Sequence, residues 1–394
     1  MDMDQKMPLS RRAFLTSACC VAAAPLITSI TLAAAPGDKR LITIVLRGAM
    51  DGLHLVQPYA DPAFKLYRPT LALTPDDGLI DLDGFYGLNP YAKALLPLWK
   101  SGELSFVQSV STPYRDARSH FDGQDVLENG GATVGEEKTG WLNRALSTIP
   151  SSSLRKAIDV NASAELLLRG TNRVDVWSAR TDLTMNTDEL EFFERLYRSD
   201  PPFAKAMAEA ANTDFSADEL YADEKRGTKP EDVARLAAGM LMQDYRIASF
   251  SITGWDTHAR QTPAFKSPAT DLATAILTIR KTMSPAVWKE TVVVAITEFG
   301  RTVRENGSAG TDHGTGGMAL IAGGGIDGGK VIGQWPGLDE ASLLNGRDLM
   351  PTGDVRELAA AMLYRQFNIS PDSLTNTIFP GLDFNRSSIY LKSV

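Results

Sequence analysis

The 394-residue sequence contains two cysteines, Cys19 and Cys20, and both fall in an N-terminal segment with the features of a removable export signal. Downstream of that segment there is no cysteine. This excludes a disulfide, a thiolate metal site or a cysteine nucleophile in the rest of the chain. Histidine is also scarce, with four in all. Basic residues are the minority, 40 against 48 acidic, for a formal charge of −8. An acidic surface excludes nonspecific nucleic-acid binding as a leading function. Beyond the N-terminus no apolar run is long enough to span a bilayer. There is no internal repeat, no long low-complexity linker and no G-x-S-x-G elbow. The run Gly323-Gly324-Gly325 lacks the G-K-[ST] ending of a phosphate-binding loop.

The N-terminus reads Ser10-Arg11-Arg12-Ala13-Phe14-Leu15, followed by an apolar, Ala-rich stretch that ends in Ala33-Ala34-Ala35 before Pro36. A basic start, an apolar middle and small residues at the end mark a cleaved targeting segment. The S-R-R-x-F-L form is the address read by the twin-arginine (Tat) translocase. The expectation is a signal over 1–35, a partner interaction with that translocase, and a mature protein in the periplasm or secreted, with no stable membrane span. Removing the segment shifts the formal charge to −9. The remaining residues are ample for a core without disulfides.

Short apolar runs read as buried strands at Leu41–Leu46, Leu104–Val107, Ala157–Val160, Ile247–Ile252, Thr291–Ile296 and Met318–Ala322. Helices are expected at Pro90–Lys100, Trp141–Leu146, Leu190–Tyr197, Phe203–Ala211, Glu231–Met242, Thr270–Met283 and about Val355–Phe367. Alternating strands and helices predict an α/β fold, with a mostly parallel central sheet flanked by helices. One domain over 36–394 is expected, with about 160–230 as a cap-like insertion.

The histidines are not scattered. His54, His120, His258 and His313 each lie within three residues of an aspartate and close to a strand end or entrance. Parallel sheets gather strand ends along one edge. Asp51, Asp256, His258, Glu298 and His313 can therefore converge although distant in sequence. Imidazole and carboxylate ligands suit a divalent ion such as Zn, Mn or Mg, with Ca a further candidate. In Asp256-Thr257-His258 an extended backbone points both side chains the same way. The bland readings are also concrete: Asp51 as a turn former or helix N-cap, and Glu298 in an ion pair with Arg301 or Arg47. Ser119 beside His120 is a candidate nucleophile. Arg115, Arg118, Arg301 and Arg304 are candidate oxyanion clamps. The Gly-rich loop from Gly307 permits close backbone approach to a ligand.

Five segments form an ordered motif set. They are Leu46-Arg47-Gly48-Ala49-Met50-Asp51-Gly52-Leu53, Arg118-Ser119-His120-Phe121-Asp122, Gly254-Trp255-Asp256-Thr257-His258, Thr297-Glu298-Phe299-Gly300-Arg301-Thr302, and Gly310-Thr311-Asp312-His313-Gly314-Thr315-Gly316-Gly317. The set resembles the DUF1501 family, a group of bacterial proteins that typically carry twin-arginine signals. That family looks like a divergent branch of the alkaline phosphatase and sulfatase superfamily. The resemblance implies an alkaline phosphatase-like fold with one or two divalent ions at the carboxyl edge of the sheet. It matches Asp51 to a first metal ligand, Ser119 to the nucleophile, Asp256 and His258 to a ligand pair, Glu298 to a strand-end Asp and His313 to a late His ligand. The sequence departs from that pattern at Phe299, where a histidine ligand would stand.

The expectation is thus a metal-dependent hydrolase of phosphate or sulfate esters, acting on a small molecule or polysaccharide. The metal would rest on Asp51, Asp256, His258, Glu298 and His313. Ser119, His120, Arg47 and Arg301 would serve the chemistry, the two arginines by offsetting charge on the substrate. The competing readings are an inactive relative that acts as a binding or assembly protein, and a carbohydrate-active enzyme using paired carboxylates such as Asp256 and Glu298.

Overall fold

In the computed structural model, the apolar run after Arg40 lies in the middle of a sheet covered on both faces. The structure describes residues 38–115, 118–149, 156–161, 165–177 and 229–393. Strand β1 (Arg40–Leu46) sends Ile42, Ile44 and Leu46 into one hydrophobic core and Leu41 and Val45 into the other. The two-residue period of a strand imposes this alternation. Two covered faces are why the run is apolar at nearly every position rather than at every second one.

The other strands of this sheet are β2 (Leu104–Ser111), β3 (Ala157–Asp159), β4 (Asp175–Val176), β5 (Ile247–Ile252), β6 (Thr291–Ile296), β7 (Gly317–Gly323), β8 (Val331–Ile332) and β9 (Gly353–Asp354). Their order is β8-β2-β7-β6-β1-β5-β3-β4, with β9 also paired to β2. Every pairing is parallel except the two made by β7, which runs antiparallel to β2 and β6. The chain is therefore mixed α/β with a mostly parallel central sheet.

Five helices matter for the site and the cores: α1 (His120–Asn129), α2 (Trp141–Thr148), α3 (Pro230–Met242), α4 (Gln261–Thr282) and α5 (Val355–Phe367). Leu236 and Met240 of α3 and Leu272 and Ile276 of α4 pack on one face of the sheet. Leu142 of α2 and Leu358 and Met362 of α5 pack on the other. The bounds of β5, β6 and α5 coincide with the sequence reading. Helix α4 starts nine residues earlier than expected and contains Pro268. Helix α1 was not anticipated. The helices read at Leu190–Tyr197 and Phe203–Ala211, the signal segment 1–35 and most of the proposed insertion lie outside the described residues. Among the described residues no helix is long and apolar enough to cross a membrane.

The reversed strand decides where the site can form. Parallel strands β1, β2, β5 and β6 deliver the residues that follow them to one edge. Because β7 runs the other way, the residues that precede it reach that same edge.

Candidate metal centre at the carboxyl edge

Four strand ends supply the site. Asp256 and His258 follow β5, Glu298 and Arg301 follow β6, His120 opens α1 beyond β2, and His313 precedes β7. The ligand atoms of His120, Asp256 and His313 lie within 4.8 Å of one another and could hold a metal ion. His258 adjoins them, with Nε2 at 2.9 Å from both Asp256 Oδ1 and His313 Nε2. His313 Nε2 is 3.2 Å from Asp256 Oδ1, and His120 Nε2 is 3.4 Å from Asp256 Oδ2. Ligands about 2.0–2.1 Å from an ion stand at about this mutual spacing when their bonds are near right angles.

The remaining ring nitrogens fix the orientation. His120 Nδ1 donates to Glu298 Oε1 at 2.8 Å. His313 Nδ1 donates to the Arg118 carbonyl at 2.6 Å. His258 Nδ1 lies 3.3 Å from Asp312 Oδ1. With the Nδ1 of each ring against an acceptor oxygen, the three Nε2 atoms lie on the side of the Asp256 carboxylate, where neutral rings present their lone pairs. His120 Nε2 is buried and has no hydrogen-bond partner among the described residues. Arg118 reaches its position with φ +51°, a left-handed backbone that a non-glycine residue adopts at a cost. That conformation accompanies the carbonyl that holds His313.

Charges around the cluster are strongly coupled. Burial pushes Asp256 up, but the Arg301 guanidinium outweighs it and holds the carboxyl at about 2. Burial likewise opposes ionisation of Glu298, and hydrogen bonds from His120 and the Gly48 amide bring it below the ordinary range. The Glu298 hydrogen bond raises His120. Burial lowers His313, which favours the neutral imidazole a cation needs. Asp256 and His258 are each about 45% exposed, so the cluster is open on their side.

Several residues expected at the site have other occupations. Asp51 does not join the cluster: it is buried, pairs with Arg68 at 2.8 Å, accepts from Gln261 Nε2 at 2.6 Å, and caps the short helix Gly52–Leu55 through the His54 amide. Glu298 lies behind His120 and holds its Nδ1 rather than reaching the converging nitrogens. Arg301 is wholly buried and faces no substrate. It donates to the carbonyls of Gly48, Ala49, Trp255 and Thr311 and to Asp256. Arg47 is tied to Glu128 at 2.7 Å and Glu165 at 2.9 Å, and is not a free oxyanion clamp. Arg115 donates to the Thr112 and Tyr114 carbonyls, and Arg304 lies over the Tyr67 ring. Ser119 is the N-cap of α1 and accepts a long 3.4 Å bond from the Asp122 amide.

His54 is distant from these roles, buried against Phe265 with both ring nitrogens unpartnered among the described residues. Phe299 stacks on His120 at 5.3 Å and leans on His313 at 5.2 Å, an apolar wall to the cluster. The glycines bring backbones together. A Cβ on Gly310 would sit 2.3 Å from the His258 carbonyl carbon, and Gly48, at φ +114°, would clash with the Asp256 amide at 2.7 Å. The close approach is thus to the ligand-bearing segment itself. Sequence reasoning missed Arg68, the Arg118 carbonyl, and Gln124, whose Nε2 donates to Glu298 Oε1 at 3.3 Å. Arg68 carried no local signal, and a carbonyl carries none at all.

The fold and this edge define an α/β protein with a candidate His/Asp metal centre. The chain belongs to the family described as protein of unknown function (DUF1501), whose profile matches residues 105–378. That match takes in all but the first residue of β2, the whole of β5, β6 and β7, and every residue of the cluster. Comparison with curated proteins gave no match.

Proposed function

We propose that this protein is an exported, metal-dependent hydrolase of phosphate or sulfate esters, built on an alkaline phosphatase-like fold. One observation carries the reading. Three imidazoles, each pinned at Nδ1, turn their Nε2 lone pairs toward a single carboxylate held ionised by Arg301. With the rings neutral, such an array of acceptors repels itself without a cation. A divalent ion bound there would supply Lewis acidity toward an ester oxygen and would acidify a water at neutral pH. In this reading His120, His258, His313 and Asp256 hold the ion, Glu298 orients His120, and the Arg118 carbonyl orients His313. Asp51 is not among the ligands. The attacking oxygen belongs to water or to Ser119, whose position at the start of α1 puts it one residue from His120. The twin-arginine motif supports the exported reading.

The paired-carboxylate reading fares poorly. Glu298 is fully buried behind the His120 ring, so it and Asp256 do not face a common sugar. The inactive-relative reading rests on Phe299, whose ring occupies a wall of the cluster.

Metal analysis of the purified mature protein tests the proposal, followed by turnover of aryl phosphates and aryl sulfates. The expected result is about one divalent ion per chain, lost in the Asp256→Ala, His258→Ala double variant, with ester cleavage lost alongside. Equal metal content in the double variant would remove the metal reading. Stoichiometric metal with no turnover on either ester class would favour the inactive relative. Loss of turnover in Ser119→Ala with metal retained would assign the nucleophile to Ser119.

A further inference from the structure

We infer that Arg118 and Arg347 form an oxyanion subsite beside the histidine cluster, so that the substrate carries a second anionic group next to the one being cleaved. The subsite's function rests on the hydrolase reading above; its ability to bind an anion does not. Both residues are anchored to His313. Arg118 gives its carbonyl to His313 Nδ1, and Arg347 Nη1 donates to the His313 carbonyl at 2.9 Å. Both guanidinium groups then turn to one carboxylate. Arg347 Nη1 is 2.7 Å from Asp348 Oδ1, and Arg118 Nη2 is 3.5 Å from Asp348 Oδ2.

Asp348 is buried and also accepts from Thr315 Oγ1 at 2.8 Å. It offers one negative charge to two positive ones. The neighbouring Asp312 carboxylate is already engaged by His258 and Asn306. Arg118 Nε is buried without a hydrogen-bond partner among the described residues. The two arginine side chains are 36% and 37% exposed, unlike Arg301 at 0%. A partly exposed pair sharing one carboxylate retains donors for an incoming oxyanion, which the planar guanidinium matches in a bidentate manner.

The offset of the pair sets what it reads. Its anchor points are a backbone carbonyl of a ligand residue and the outward nitrogen of the same imidazole, whereas the cluster is served by the inward nitrogen. An anion on the arginines therefore lies beside the cluster rather than within it. A phosphate or sulfate ester with a neighbouring phosphate, sulfate or carboxylate satisfies both places at once. A simple aryl ester fills only the first.

Isothermal titration with inorganic sulfate, and with orthophosphate and pyrophosphate in parallel, tests this on the mature protein with and without bound metal. Sulfate is expected to bind the metal-free protein, and to bind about tenfold more weakly in Arg347→Gln and in Arg118→Gly, the equivalent of one lost charge-assisted hydrogen bond. Arg118→Gly keeps the carbonyl and suits the left-handed backbone, so its fold and metal content serve as the control. With metal bound, pyrophosphate should exceed orthophosphate in affinity, and the Arg347→Gln, Arg118→Gly double variant should abolish that preference. Sulfate binding that vanishes with the metal, or that survives unchanged in the double variant, overturns the subsite while leaving the metal centre intact. Absence of metal binding together with Arg-dependent sulfate binding would sink the hydrolase reading and spare the subsite as an anion site.

Discussion

Arg301 clamps Asp256: its Nη2 lies 2.5 Å from Asp256 Oδ1 while the same guanidinium takes the carbonyls of Gly48, Ala49, Trp255 and Thr311. One buried side chain thus ties the ends of β1, β5 and β6 to the loop before β7, and fixes the carboxylate on which the imidazoles converge. Replacing it leaves several carbonyls and a carboxylate without a donor. Arg301→Met should destabilise the fold by about 3–5 kcal/mol, as expected on breaking a buried charged network. Urea unfolding measures this. A loss below about 1 kcal/mol, the ordinary worth of a surface pair, would contradict the clamp.

Glu298 reaches the cluster through His120, whose Nδ1 it holds at 2.8 Å. In Glu298→Gln the partner of His120 Nδ1 loses its charge, and the ring is held less firmly in the tautomer that presents Nε2. Metal affinity should fall about 10–100-fold, the usual effect of losing an outer partner of a ligating histidine. Competition with a chelator reads the change. Affinity equal to that of the unaltered protein would show that Glu298 does not position the ring.

Asp159 sits in the buried network that ends on Arg47. Burial first, then the neighbouring Glu165 carboxylate, push it up to about 7. Between the ordinary carboxyl range and pH 7 the folded chain keeps this proton and the unfolded chain has lost it. The stability it contributes is full below the ordinary range and is lost as pH rises through about 7. Melting temperatures from pH 4 to 8 should therefore fall for the unaltered protein relative to Asp159→Asn. Curves that stay parallel would refute the shift.

His54 should give the opposite slope. Burial holds its ring well below the ordinary histidine value, at about 4. Between the two values the unfolded chain takes a proton that the folded chain refuses, so stability is full above the ordinary value and is lost as pH falls through about 4. His54→Leu removes the titration and two ring nitrogens that have no partner among the described residues. It should raise the melting temperature at pH 5 by more than at pH 8. An equal shift at both values would assign the effect to packing alone.

Much of the scaffold was legible because burial on two faces writes continuous apolar runs. Strands β5 and β6 are of that kind, and their ends are found without ambiguity. Helix α4 was clipped because Pro268 reads as a break, yet the surrounding packing of Phe265, Ala269 and Leu272 carries the helix through it. Helix α1 was overlooked because His120-Phe121-Asp122-Gly123 has no apolar period. Its signal was the cap, Ser119 three residues before Asp122. At the site, Asp256, His258 and His313 could be nominated from their places at strand ends. Their partners could not. Asp51 looked like a ligand because nothing local reveals that Arg68 waits for it in the fold. Glu298 was expected among the converging groups and instead lies behind His120, since which of two neighbours faces inward depends on how α1 enters against β6. The direction of β7 was also hidden, because an apolar strand reads the same in either direction.

The reversed run of β7 has a consequence for how the chain assembles. Its pairing with β2 joins residues more than 200 positions apart, and His313 meets His120 only when that pairing is complete. Contacts so remote in sequence are expensive to close and tend to form late. The ligand cage should therefore be absent from the folding transition state. A metal ion added during refolding would leave the folding rate nearly unchanged and slow the unfolding rate instead, since it strengthens contacts that form only on the native side of the barrier. The ion would act as a latch on a finished structure rather than as a nucleus for it.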